Sequence, residues 1–402
     1  MTTSTFLQAQ LYHTLPTDHA RALLIGRLWL PGTGPVLVTL HDGRLHDVSP
    51  LALTSSALLA LPEPAAAVRE ALGAGRLPVI ASWAEVIANA EEASRDAGRP
   101  WLLAPCDLQV IKASGVTFIA SLLERVIEEQ ARGDASRADA LRRDLHQILG
   151  QDLTGIRPGS AEAQEVKRVL QARGAWSQYL EVGIGPDAEI FTKAPVLAAV
   201  GTGNDVGLHP GSSWNNPEPE LVLAVSPTGQ VVGAALGNDV NLRDFEGRSA
   251  LLLGKAKDNN GSCAIGPFIR LFDAHFGIDD LRQCEISLRV DGVDGFSFED
   301  RGAMSSISRD PLDLVAQAMG RHHQYPDGMM MFLGTMLAPT RDRDAPGQGF
   351  THHTDDVVTV SVPALGRLVN RVDRSDRISP WTFGIGALMA NLRSRPGIPS
   401  GV

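Results

Sequence analysis

The rhythm of apolar and polar positions changes near residue 180. Before that point the chain is mixed and partly helical. Residues 36–40 form a short apolar run that reads as a strand, closed by His41, Asp42 and Gly43. Residues 64–72 and 83–97 carry the Ala, Glu and Leu content of helices. Residues 118–133 and 135–149 continue that pattern with mixed charge on one face. Polar residues 154–160 mark a loop, ahead of a further helix over 161–172.

Beyond residue 180, strand-like runs recur at 221–225, 231–236, 284–290, 329–333 and 357–362, punctuated by Gly, Pro and Asn. Helices are few, and 311–320 reads as one of them. This is the texture of a β-rich domain. At 402 residues the chain is too long for one ordinary domain. The pattern predicts a smaller mixed domain over 1–180 and a catalytic domain over 181–402, an α+β arrangement overall.

Composition narrows the function classes. A 44% apolar and 20% charged chain can bury a sizeable core. The net charge of -10 is spread along the sequence, which argues against nucleic-acid binding. Cys106, Cys263 and Cys284 lie far apart, so a disulfide framework or thiolate zinc site is not expected. No apolar run approaches the length of a membrane span, and residues 1–15 lack a secretory pattern. The expectation is a cytoplasmic protein.

The segment 216–225 concentrates the candidate chemistry. Glu218 and Glu220, one residue apart on an extended chain, point to the same face. Residues 226–230 read as a hairpin turn. If the turn is symmetric about Thr228 and Gly229, Glu218 faces Asp239, and Glu220 faces Gly237, which leaves space. Like charges at such spacing, roughly 5–7 Å between Cβ atoms, repel unless a cation lies between them. Three carboxylates suit Mg2+, and Mn2+ fits the same oxygen set. A solvated hairpin face with chance acidic residues would look the same from these positions alone.

Other polar residues divide in the same way. Alternation would send Lys255 and Lys257 to one face, either as a surface pair or as a base and carboxylate holder beside the metal. Glu189 precedes Phe191, Thr192 and Lys193 on an expected strand. His322, His323, His352 and His353 read as loop or surface residues, because neighbours on a strand point opposite ways.

The carboxyl-terminal half resembles the fumarylacetoacetate hydrolase family. The matching runs are Phe191-Thr192-Lys193-Ala194-Pro195, Glu218-Pro219-Glu220, residues 237–244 (GNDVNLRD), residues 261–267 (GSCAIGP), Phe332-Leu333-Gly334-Thr335, Asp355-Asp356-Val357-Val358 and residues 366–370 (GRLVN). They stand in the family's order and disfavour the solvated-hairpin reading. The resemblance implies a β-rich mixed-sheet roll around a magnesium site, with Glu218, Glu220 and Asp239 as ligands. It implies a catalytic lysine, at Lys257 by the ungapped count from Gly266 and Pro267, or at Lys255 by the Leu253-Gly254-Lys255 string. Thr335 with Gly334 would contact a substrate carboxylate, and Lys193 and Ser114 would also line the substrate site.

Within the family the chain is most similar to the 2-keto-3-deoxy-pentonate (D-xylonate or D-arabinonate) dehydratases. Glu189, the Glu-Pro-Glu pair, the GSCAIGP run and the site-closing segment 113–118 carry that likeness. The resemblance implies conversion of a 2-keto-3-deoxypentonate to 2-ketoglutarate semialdehyde in oxidative pentose breakdown, by a homo-oligomer, dimer or tetramer. Alternatives at the same metal site are carbon–carbon hydrolysis of a 2,4-diketo acid, and oxaloacetate decarboxylation or tautomerisation. The hydrolases present a His-x-x-Glu pair, and none of the 11 histidines has Glu at that spacing.

Overall fold

A computed structural model of the protein describes residues 3–132, 134, 137, 156–172, 176–337, 339 and 341–395. The helix expected over 135–149 lies outside the described residues, save for Arg137, as do positions 154 and 155 of the expected loop.

Six strands bear on the site: β1 (Val110–Gly115), β2 (Glu189–Ala194), β3 (Pro219–Val225), β4 (Val231–Asp239), β5 (Cys263–Leu271) and β6 (Met329–Phe332). They form one end of an eleven-stranded sheet. Its spatial order runs Val79–Ser82, Arg44–Asp47, Gly34–His41, Leu24–Leu30, then β5, β4, β3, β6, β1 and β2, with Trp101–Leu103 branching from Leu24–Leu30. Strands from both sides of residue 180 therefore share this sheet. β6 and β1 pair in parallel, and the other pairs are antiparallel. A second sheet of five strands holds Ser297–Ala303, Glu285–Asp291, Val357–Val362, Gly366–Arg374 and Asp205–Leu208. Helices are the minority. Among the described residues no helix is long and apolar enough to cross a membrane. The β-rich mixed-sheet architecture expected from the sequence is the one observed.

The sheet's centre is apolar on both faces. Leu221, Leu223 and Val225 of β3 join one buried cluster, while Val222 and Ala224 join another with Phe332 and Ile265. β3 and β4 pair Glu220 with Gly237 and Leu221 with Leu236, in the register read from the sequence. The space opposite Glu220 is not empty, however. A Cβ on Gly237 would lie 2.3 Å from Phe332 Cε1 and 2.6 Å from Val222 Cγ2. The Phe332 ring uses the room that glycine leaves, so packing rather than the metal explains this residue. Next to the turn, the register slips by one residue between Ala224 and Val225.

One expected helix is much shorter than its composition suggests. The helix expected over 83–97 spans only Trp83–Ile87. Ser82 and Glu85 cap its start reciprocally. Past its end, Asn89 bonds the carbonyls of Asp96 and Pro100 at 3.0 and 3.1 Å and folds the chain back. Four helices frame the site: α1 (Ile119–Ala131), α2 (Gln178–Ile184), α3 (Arg243–Glu246) and α4 (Leu253–Lys257). α1 leaves the end of β1 and packs on α2 and α3, burying Leu122 and Val126 with Leu180 and Ile184.

Candidate metal centre

Glu218, Glu220 and Asp239 are buried, and each offers an oxygen within 4.8 Å of the others. The β3–β4 hairpin brings them together. Pairing of Pro219 with Asn238 places Glu218 beside Asp239, whose amide donates to the Glu218 carbonyl at 3.0 Å. Glu220 accepts from the Gly334 amide at 2.7 Å and from Thr335 Oγ1 at 3.0 Å. The Gly-Thr loop after β6 thus orients a carboxylate of the cluster, although the resemblance assigns both donors to substrate.

Three cations reach into this cluster. Lys193 Nζ lies 2.8 Å from Asp239 Oδ1 and is fully enclosed. It also donates to the carbonyls of Val240 and Lys257, so it braces Asp239 from outside the cavity. Lys257 donates to Glu218 and lies 3.2 Å from Asp239 Oδ2. Lys255 is exposed, its ammonium 4.9 Å from the centre of the Phe245 ring. The sequence reading placed both lysines on one face by assuming a strand. The segment is a helical turn, α4, where residues two apart diverge by about 200°. Only Lys257 enters the site.

Two residues that the sequence reading missed complete it. Arg125 of α1 contacts Glu218 Oε1 and lies 2.9 Å from Glu246 Oε2. Glu246 ends α3, two residues past the Asn-Asp-Val-Asn-Leu-Arg-Asp run. Its position there is the one signal the sequence held, whereas Arg125 sits in an ordinary amphipathic helix.

Glu189, at the start of β2, faces the same cavity as Ser114, Arg125, Glu218, Glu246, Lys257 and Thr335. Gly115, opposite it across the β1–β2 pair, makes room: a Cβ there would lie 1.9 Å from Glu189 Oε2. The buried Ser114 hydroxyl lines the cavity and has no hydrogen-bond partner among the described residues.

The electrostatics follow from burial. Desolvation and the neighbouring Glu246 push Glu189 up to about 7, against Arg125 and Lys257. Burial works the same way on Glu218, yet Arg125 and Lys257 outweigh it and hold that carboxyl down at about 2. Glu220 has burial plus the Asp239 and Glu218 charges against it, and is raised well above the carboxylate range. Burial opposes the Lys257 ammonium, but Asp239 and Glu218 more than offset it and raise its pKa.

Charge balance tests the fit of a metal. Glu189, Glu218, Glu220, Asp239 and Glu246 are five carboxylates against the three cations Lys193, Lys257 and Arg125. Two further positive charges would let all five ionise, and one divalent cation carries two. An all-oxygen donor set of this kind fits Mg2+ or Mn2+.

A ligand carboxyl must lose its proton to bind a metal. Because Glu220 is raised, metal affinity should climb as pH rises toward its folded value, by up to about tenfold per unit, with release of one proton. The same raised pKa means the metal-free fold is most stable below about pH 4.5 with respect to this group, and loses that contribution as pH rises through the folded value. Calorimetric Mn2+ titrations in buffers of different ionisation enthalpy would read the proton directly. A pH-independent affinity would contradict it.

The histidine expectation needs one correction. His322 and His323 are exposed, but His352 is buried and bonds Asp356 at 3.1 Å, where Arg343 also binds. An internal ion-pair cluster holds it, and it does not line the carboxylate cavity.

Residues 178–373 match the Fumarylacetoacetate (FAA) hydrolase C-terminal family. A 2-dehydro-3-deoxy-D-arabinonate dehydratase of Saccharolobus solfataricus is 28% identical over 191 residues, covering 48% of this chain and 60% of that protein. This match spans less than two thirds of the relative. A protein described as a probable 2-keto-3-deoxyxylonate dehydratase of Haloferax volcanii is 26% identical over 284 residues, 70% of this chain and 94% of the relative. Among solved structures, a hexagonal crystal form of 2-keto-3-deoxyarabinonate dehydratase has a TM-score of 0.58 at 20% identity, covering 87% of this chain and 99% of that one. The 2-keto-3-deoxy-D-arabinonate dehydratase complexed with magnesium and 2,5-dioxopentanoate has 0.57 at 19%, with the same coverage. At these identities the structural likeness shows the fold. The matched residues 178–373 include the carboxylate hairpin, so the chain is similar to the fumarylacetoacetate hydrolase C-terminal family through the segment that builds the site.

Proposed function

We propose that this protein is a magnesium-dependent dehydratase that converts a 2-keto-3-deoxy-D-pentonate to 2,5-dioxopentanoate, the semialdehyde of 2-ketoglutarate. The observation that carries the reading is an acid and a base facing one small cavity beside three carboxylates. Glu189, pushed up to about 7, is the acid; Lys257 is the base. The two curated relatives are named as dehydratases of such acids.

Glu218, Glu220 and Asp239 would hold the metal. Bound there, a divalent cation is a Lewis acid that stabilises negative charge on the oxygen of a 2-keto group as a proton leaves carbon 3. Lys257 accepts that proton as the free amine. Glu218 and Asp239 favour its ammonium, so the reactive form is the minor one until their charge is engaged elsewhere. Glu189 gives its proton to the hydroxyl departing from carbon 4, which leaves as water. The unsaturated keto acid that remains rearranges to the aldehyde at carbon 5. Lys193 keeps Asp239 in place, and the Gly334 amide with Thr335 keeps Glu220 in place.

Because Glu189 must be protonated, kcat should fall as pH rises through about 7, or below it once a cation adds its own positive charge. Glu189→Gln should lose about 10^2–10^4-fold in kcat while still binding metal. A pH profile flat from 6 to 9 would remove Glu189 from the acid role.

Among the described residues, no histidine lines the cavity, which disfavours hydrolysis through a His–Glu pair. Purified protein should therefore form the semialdehyde from 2-keto-3-deoxypentonates with magnesium and not without it. Cleavage of a diketo acid to pyruvate and a second acid, with no semialdehyde formed, would overturn the dehydratase reading.

A further inference from the structure

The cavity beside the carboxylates measures about 10 Å³, too small for any sugar acid and barely enough for one water. Arg125 is part of its wall. The guanidinium reaches down from α1, with one nitrogen at Glu246 and another on Oε1 of Glu218. That second contact engages a carboxylate of the metal-binding set. Arg125 and a divalent cation therefore draw on the same negative charge.

We propose that Arg125 is a specificity-determining residue for the substrate's carboxylate, and that Glu218 stands in for that carboxylate when metal is not bound. The inference rests on the proposed 2-keto acid site. Three features support it. An arginine fork matches a carboxylate in two-point geometry, and Glu246 fixes one edge of this fork while the other edge meets a carboxylate already. The Gly334 amide and Thr335 hydroxyl, the donors that the family resemblance assigns to substrate, are engaged by Glu220. The Ser114 hydroxyl, buried at the cavity wall without a hydrogen-bond partner among the described residues, offers a further polar contact in the same cavity.

A consequence is that Arg125 opposes the metal and assists the acid. When Glu218 turns its charge to a cation, the guanidinium is released to an incoming carboxylate, and α1 must shift for that ligand to enter. The two ligands then bind with positive coupling, each removing a competitor of the other.

The test exploits these opposite signs. Arg125→Met should bind Mn2+ roughly fivefold or more tightly than the native protein, because a competing cation is gone. With saturating Mn2+, its affinity for 2-oxopentanoate, a 2-keto acid without a leaving hydroxyl, should fall roughly tenfold or more. Both are calorimetric measurements that require no turnover. Arg125→Lys, which keeps the charge but loses the fork, should leave Mn2+ affinity near native and still weaken the keto acid. Circular dichroism confirms that each variant is folded, and the lysine variant serves if the methionine variant is not.

If both affinities fall together, or both stay within twofold of native, Arg125 has only a structural role and the proposal fails. Native turnover of a 2-keto-3-deoxypentonate alongside unchanged affinities would overturn this inference and leave the dehydratase reading standing. Opposite shifts in a protein that dehydrates nothing would do the reverse.

Discussion

Lys257→Ala should abolish dehydration, by about 10^2–10^4-fold in kcat, and should bind divalent metal at least as tightly as the native enzyme. The reason lies in what Lys257 touches. Its ammonium is buried between Glu218 and Asp239, so removing it takes away the proposed base and also a cation that shares those two carboxylates. A lysine that merely neutralised the cluster would give the second effect without the first. Single-turnover rates with Mg2+ near saturation, set beside Mn2+ titrations of both proteins, separate the two. Retention of more than about a tenth of native kcat would exclude Lys257 as the base.

Asp239→Ala should do more damage, because two lysines depend on that carboxylate. Lys193 is fully enclosed, and its other acceptors are the carbonyls of Val240 and Lys257. Without Asp239 a buried ammonium loses its only carboxylate partner among the described residues, which typically costs about 3–5 kcal/mol. Metal affinity should fall by more than the roughly 10–100-fold loss typical of removing a residue that only supports a ligand. Thermal melting and metal titration together check it. A variant with native Tm and native Mn2+ affinity would mean that Asp239 neither anchors Lys193 nor binds metal. Asp239→Asn, which keeps an oxygen near Lys193, should recover part of the stability but little of the metal affinity.

What the sequence made legible was local. Alternation along 218–220 and the turn at 226–230 were enough to place Glu218 opposite Asp239 and Glu220 opposite Gly237, because a hairpin's register follows from its turn and from which face is buried. Residues brought in from far along the chain were harder to read. Lys257 and Lys255 depended on whether 253–257 is strand or helix, and five residues are too few for periodicity to decide. Arg125 lies 93 positions from Glu218, and nothing in its amphipathic helix marks it as different from any solvated arginine. The strands Leu24–Leu30 and β5 went unread because both faces of such strands are covered, which erases the alternation that signals a half-exposed one. Their pairing with each other, which ties the amino-terminal strands to the central sheet, was therefore not legible either.

The one-residue slip between Ala224 and Val225 has a bearing on how this chain can vary. A shift of one position along β3 would turn Glu218 and Glu220 toward the leucine-lined face and destroy the centre. The irregularity sits at the far end of the hairpin, beside the 226–230 connection, with five regular pairs from Glu220 to Ala224 between it and Pro219. An added or deleted residue in that connection can be taken up there, as a change in the local bend, before it is transmitted along the ladder. Descendants of this sequence are thus free to lengthen or shorten the loop at 226–230 while the acidic residues stay in phase. Between 218 and 224, a single-residue insertion would have no such refuge.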